Sequence, residues 1–256
     1  MYKVDFICLA NSTKEGGRCI AGLRTDGKGW VRLVSTLDGG PLFHRHYKLG
    51  DGSVPEIYNV ISVELEKHVP LPHHPENWLI APTCWQLVKK CVGAQQREFI
   101  EQYVHNGPDL LGDDRDAVNV SELTNKPILS SLQLVRPIDL RWIVEESQGK
   151  CKVRTSFRVG ATQYNLPFTD PEFCSRLLRR GVGSYPFDAI GISSIHQQLL
   201  TISLTGPFNE KCYKLVSTLI LQPETRRPNE KKAFNKKYLP DWLLPLLKHL
   251  WRSFRV

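Results

Sequence analysis

An arginine beside an aromatic is the pairing in this sequence best suited to holding a flat ligand that carries negative charge. Trp30 and Arg32 stand two apart, so on a strand they share the outer or groove-facing side while Val31 and Leu33 turn to the core. Arg18 precedes the hairpin on the partner strand. A guanidinium next to an indole serves phosphate contact and base stacking together; the competing reading is a core Trp30 and a solvated Arg32. A second set, Lys152, Arg154 and Arg158, shares one strand face with Ser156. Like charges so close repel and need a facing acid, solvent or a polyanion. Asn11, Ser12 and Arg18 flank the Gly16-Gly17 turn. Backbone amides with an arginine nearby can hold a phosphate there, unless the turn merely satisfies its own backbone.

Glu76 has the chemistry of a general acid or a metal ligand. It has no second carboxylate or histidine at a motif spacing, so Glu76 and Asn77 read as a structural clamp between segments. His44-Arg45-His46 and His73-His74 lack zinc-site spacing, and Asp113-Asp114-Arg115-Asp116 lacks the glycine and distal glutamate of a calcium loop. No metal and no cofactor are expected. Nucleophile motifs, a P-loop and the dinucleotide glycine pattern are all missing, which argues against an enzyme.

The elements that must position these residues are mostly short strands. Arg18–Arg24 and Trp30–Ser35 flank the Thr25–Gly29 hairpin signal. Val60–Val69 alternates, with Ile61, Val63 and Leu65 on one face. Gly93–His105 has helical spacing. Strands resume at Leu129–Val135 and Leu140–Glu146, and Lys150–Val159 alternates apolar and polar without a break. Asp170 caps a short helix that has Pro171 in its first turn, and Tyr213–Leu221 is apolar enough on both faces to be a central strand. The expectation is a mainly β chain of two small barrels with inserted short helices and a C-terminal amphipathic helix. The divisions fall at 1–126, 127–222 and a basic tail, 223–256.

The chain has 256 residues and a formal charge of +8. The tail concentrates that charge: nine basic residues, among them Arg226, Arg227, Lys231, Lys232, Lys236 and Lys237, face three acids. Such an arm suits a polyanion such as nucleic acid, or simply solubilises the chain. No apolar run is long enough to cross a membrane as a helix, and no membrane partner is expected. The seven cysteines form no Cys-x-x-Cys pair and read as reduced, buried hydrophobes. With an acid at position 5 where a signal peptide would be apolar, the expected address is cytoplasmic.

Cys8-Leu9-Ala10-Asn11-Ser12, followed by Gly17 through Gly22, resembles the opening of the dual OB-containing domain family of bacteria. Gly29–Ser35, Pro75-Glu76-Asn77-Trp78, Thr169-Asp170-Pro171 and Cys212–Val216 resemble its later motifs. The resemblance implies two OB-like barrels. It also implies an association with prokaryotic conflict and anti-phage systems, and binding of nucleic acid or nucleotides. The leading expectation is a non-catalytic module for single-stranded DNA or RNA, acting as sensor or adaptor for a partner protein or enzyme of the same system. A binder of nucleotides or modified bases, and a nuclease built around Glu76 or His46, stay open beside it. If the tail meets about four phosphates of a single strand, deleting Pro223–Val256 flattens the log–log salt slope of binding by about 3. Titrations of full-length and shortened chains at several salt concentrations measure this. An unchanged slope with lost solubility makes the tail a docking element.

Overall fold

The computed structural model describes residues 1–90, 93–192 and 197–222. The basic tail, with its expected helix and cations, lies outside the described residues.

The first half is a closed circuit of strands. β1 (Tyr2–Lys14), β2 (Gly17–Arg24), β3 (Trp30–Val34), β4 (Val60–His68) and β5 (Asn77–Ile80) pair in the order 1-2-3-5-4 and back to 1. All neighbours are antiparallel except β3 and β5. β6 (Gln86–Lys89) adds to β4, and α1 (His44–Tyr47) sits in the β3–β4 connection. β1 is long enough to serve two neighbours. It pairs with β4 through Tyr2–Ile7 and with β2 from Phe6 onward, and a bulge between Cys8 and Ala10 turns it. Phe6, Ile20, Leu33, Ile61, Leu65 and Trp85 fill the interior.

α2 (Ala94–Glu101) is shorter than the helical spacing suggests. The next pieces already belong to the second half. β7 (Val104–His105) pairs with β9 (Leu132–Val135), and β8 (Ala117–Asn119), followed by α3 (Val120–Asn125), pairs with β15 (Lys211–Gln222). Pairing thus hands the chain over by Val104, ahead of the Lys126 division that composition suggests.

The second half repeats the strand order. β9 and β10 (Ile138–Ser147) are two arms of one path, separated at Arg136-Pro137 because proline has no N–H for a ladder. β10 pairs with β11 (Lys150–Val159), and β11 with β12 (Thr162–Pro167). α4 (Pro171–Leu178) follows, then β13 (Gly183–Pro186), which lies against β10. β14 (Gln197–Leu204) pairs with both β9 and β15. Closure rests on a single parallel bridge from Phe168 to Val216. The architecture is two OB-like barrels, the first closed and the second partly open. Trp142, Phe157, Tyr164, Leu177, Ile202 and Val216 fill the second interior. As alternation predicts, Val153, Thr155, Phe157 and Val159 are buried while Lys152 faces water.

A third apolar cluster joins the barrels: Leu9 and Leu23 from one, Leu134, Leu199 and Ile220 from the other, with Ile100 of α2. Lys214 lies on β15 with no exposed surface, and its Nζ donates to Asp113 Oδ1 at 2.7 Å and to Asp113 O at 2.8 Å. Burial outweighs the carboxylate and holds this ammonium below the usual lysine value. The acidic loop is thereby pinned to the sheet. Among the described residues no helix is long and apolar enough to cross a membrane.

Gly22 sits opposite the β1 bulge, and a methyl group there would overlap the Ile7 carbonyl oxygen. Gly22→Ala therefore loses about 3 kcal/mol of folding stability; denaturant melts of the two chains read it directly.

Candidate binding surface

Strand β3 is covered on both sides. Val31 and Leu33 point into the first barrel, as expected, but Arg32 is only 3% exposed. The expectation of a groove-facing Trp30–Arg32 pair is corrected, because the second barrel docks on the outer face of β3. Trp30 is half-buried and packs against the joining cluster and against Ala10, Ala21 and Leu132. Arg32 spends its donors inside the protein. Nε meets Glu76 Oε1 at 3.0 Å, Nη1 meets Cys19 Sγ at 3.2 Å, and Nη2 meets Ser131 Oγ at 2.8 Å and Ser203 Oγ at 3.1 Å. Glu76 also accepts from the Ser131 amide at 3.0 Å and from the Ser131 hydroxyl. Burial opposes the arginine's charge, but Cys19 and Glu76 outweigh it and raise the pKa. Beside this pair, the His74 ring donates through Nε2 to Leu204 O at 3.0 Å. Burial first, and then Arg32, drive its pKa far down, so it is neutral.

Glu76 thus ties β5 and β3 to the segment before β9. Asn77 is fully buried, yet neither Nδ2 nor Oδ1 of its side chain has a hydrogen-bond partner among the described residues. Asn11 and Ser12 lie within β1, paired with Ile20 and Cys19, and not at the turn. The strand runs on to Lys14, so the turn is Glu15-Gly16 alone. Ser12 is buried, and Asn11 donates through Nδ2 to Pro55 O at 2.9 Å and through its amide to Thr218 Oγ1 at 3.1 Å. The expected phosphate-holding turn of Asn11 and Ser12 is corrected accordingly: neither side chain reaches it.

On the second barrel one of the three like charges has an ion-pair partner among the described residues. Arg158 pairs with Asp139 at 2.7 Å, Arg154 donates to Asn165, and Lys152 stands opposite Glu145. Arg154 and Lys152 have no ion pair among the described residues.

The first barrel gathers free cations elsewhere. Arg18, half-buried on β2, has no ion pair or side-chain hydrogen bond among the described residues. It lines a cleft of about 550 Å³ with Gly16, Phe43, His44, Arg45 and Tyr47. Gly17 is required there, since a Cβ would come within 2.6 Å of Leu42 O. Phe43 is 42% exposed, and the Arg45 guanidinium lies 5.8 Å from its ring centre. His44 stands edge-on to Tyr47 at 5.7 Å. Arg45 continues into a neighbouring cleft of about 880 Å³ with His46 and Lys48. Sequence reasoning weighed His44 and His46 as metal ligands and His46 as a nuclease residue, not as part of a nucleic-acid surface. The run Phe43-His44-Arg45-His46-Tyr47, aromatic and basic throughout, held the signal.

Truncating Arg32 leaves Glu76 charged and buried. Arg32→Ala is expected to lose about 3–5 kcal/mol of folding stability. Calorimetric or denaturant melts test this, and a fold loss under 1 kcal/mol, by the yardstick for exposed pairs, would contradict it.

The dual OB-containing domain family model matches residues 4–219. No curated protein matches the sequence. Two barrels with the same strand order, joined along a buried seam and matched over nearly all of the described chain, leave one conclusion: the chain belongs to the dual OB-containing domain family.

Proposed function

We propose that this chain is a non-catalytic module that binds single-stranded nucleic acid on the first barrel, around the β1–β2 turn and α1. Its family makes it a binding module. The observation that carries the finer reading is the cleft of Arg18, Phe43, His44, Arg45 and Tyr47, where cations without carboxylate partners among the described residues stand against exposed rings. Cations that follow a backbone and rings that stack bases are what single-strand binding needs. Among the described residues, no carboxylate lines this cleft. The tail cations extend the same electrostatic footprint in this reading. A sensor or adaptor role beside a partner enzyme of an anti-phage system is part of the proposal, supported by the family association set out above.

Catalysis has less to support it. Both Glu76 oxygens accept hydrogen bonds. Buried and hydrogen-bonded on both oxygens, Glu76 fits a clamp better than a general acid or a ligand.

Phe43→Ala should weaken binding of a single-stranded oligonucleotide by about 1–3 kcal/mol through lost stacking. Arg45→Ala should flatten the salt slope by about 0.7. Both side chains are exposed, so melting temperature should hold within about 2 °C in each. Fluorescence anisotropy against labelled single-stranded DNA and RNA at several salt concentrations reads the first two quantities, and thermal melts read the third. Absence of wild-type affinity at low salt overturns the proposal.

A further inference from the structure

The outer face of the β10–β13 sheet gathers cations that its own acids do not cover. On β11 they recur at alternate residues: Lys150, Lys152 and Arg154, then Arg158 after Ser156. Alternate residues of a strand lie about 6.8 Å apart, so the row is a regular file of charge. β10 adds Arg141, opposite Ser156. Two acids share the face. Asp139 holds Arg158 at 2.7 Å, and Glu145 stands opposite Lys152 without an ion pair among the described residues. Glu146 alternates to the other side, and β12 and β13 carry no charged residue. Five cations thus meet two acids on the outward side of these four strands.

The other outward side chains are mostly hydrogen-bonding. Arg154 Nε donates to Asn165 Oδ1 at 3.0 Å, and Gln163 Nε2 donates to Ser156 Oγ at 2.8 Å. Arg141 Nη2 reaches Ser184 Oγ at 3.5 Å. The rings of these strands turn inward: Trp142, Phe157 and Tyr164 are buried, and Tyr185 packs against the same core.

We infer that this face holds the phosphate backbone of a nucleic-acid duplex. Like charges set close together raise the energy of the free face, and a polyanion relieves that repulsion. Single-strand binding draws on rings that stack bases, and these strands turn none outward. A duplex stacks its own bases and presents phosphates, which Lys, Arg, Ser, Asn and Gln side chains meet. A protein partner would press aromatic or apolar anchors into the centre of the contact, and here that centre is charged. Contacts of this kind position a duplex without reading its sequence. The chemistry is common to DNA and RNA. It rests on the second barrel alone and stands apart from the single-strand reading of the Phe43–Arg45 surface.

Fluorescence anisotropy of the full chain with blunt-ended DNA and RNA duplexes, at several salt concentrations, tests it alongside oligothymidylate. A duplex of at least one kind should bind, and two sequences of equal length should bind alike; which kind binds names the source. Changing Lys150→Ala and Lys152→Ala together should flatten the log–log salt slope of the bound duplex, by about 1.8 for DNA. Oligothymidylate affinity should be unchanged. Both lysines are exposed, so the melting temperature should hold within about 2 °C. Lys150→Arg with Lys152→Arg keeps the charge and should keep the slope. Absence of binding to either duplex at low salt overturns the inference. So does a duplex slope that the alanine pair leaves unchanged, or an equal loss of oligothymidylate binding. If duplex binding behaves as expected while oligothymidylate does not bind, this face stands and the single-strand reading fails. If only oligothymidylate binds, the single-strand reading stands and this face fails.

Discussion

A buried charge governs how the two barrels meet. Moving a guanidinium and a carboxylate out of water costs more than their attraction returns unless the remaining donors and acceptors also find partners. Arg32 and Glu76 both come from the first barrel, yet that barrel cannot complete their shell. Ser131 and Ser203 of the second barrel do so, through a hydroxyl and an amide on the carboxylate and two hydroxyls on the guanidinium. The apolar cluster of Leu9, Leu23, Leu134, Leu199 and Ile220 supplies non-directional attraction around them. The polar shell adds direction: it is satisfied in one relative placement and costs energy in any other. Further bonds agree with that placement, including Thr201 Oγ1 to Leu9 O at 2.6 Å and the Thr13 amide to Thr169 O at 3.1 Å.

That placement is what creates a cleft of about 600 Å³ between the barrels. Asn11 and Arg18 belong to the ladder that the second barrel leans on, and Leu219 and Leu221 belong to the strand that leans. The cationic surface at Phe43 and Arg45 is built differently. It belongs to the first barrel alone, on the four-residue helix α1 and the turn beside it. The protein thus separates a surface made by one barrel from a pocket that exists only when both are assembled.

Local periodicity made much of the fold legible. Lys150–Val159 alternates because one face fills a barrel and the other meets water, and the observed strand has those same limits. Asp170 was readable as a cap because a carboxylate before Pro171 has few other uses, and it accepts from Glu172 and Phe173 as a cap does. The same logic misplaced Arg32. Alternation says which residues share a face, but not that a second domain will cover it. Lys214 was hidden for a related reason: a lysine among Tyr213, Leu215 and Val216 looks like a solvent-facing position until Asp113 arrives from about a hundred residues earlier. β7 and β8 are two and three residues long, too short for any period to show. The clefts were illegible because they are made by packing, although the aromatic and basic run at Phe43–Tyr47 was in plain view.

The span of the seam bears on how the chain is made. Arg32 leaves the ribosome long before Ser203, which lies 171 residues further on, and Leu9 waits 192 residues for Thr201. At typical elongation speeds of about 5–20 residues per second, the first barrel, whose last strand ends at Lys89, exists for roughly 6–23 s before Ser203 emerges. During that time the guanidinium and carboxylate of the seam stay hydrated and the joining apolar face stays open. The nascent first barrel is therefore a client for whatever shields exposed apolar surface on emerging chains. Desolvation of Arg32 is the late event that commits the two halves to each other.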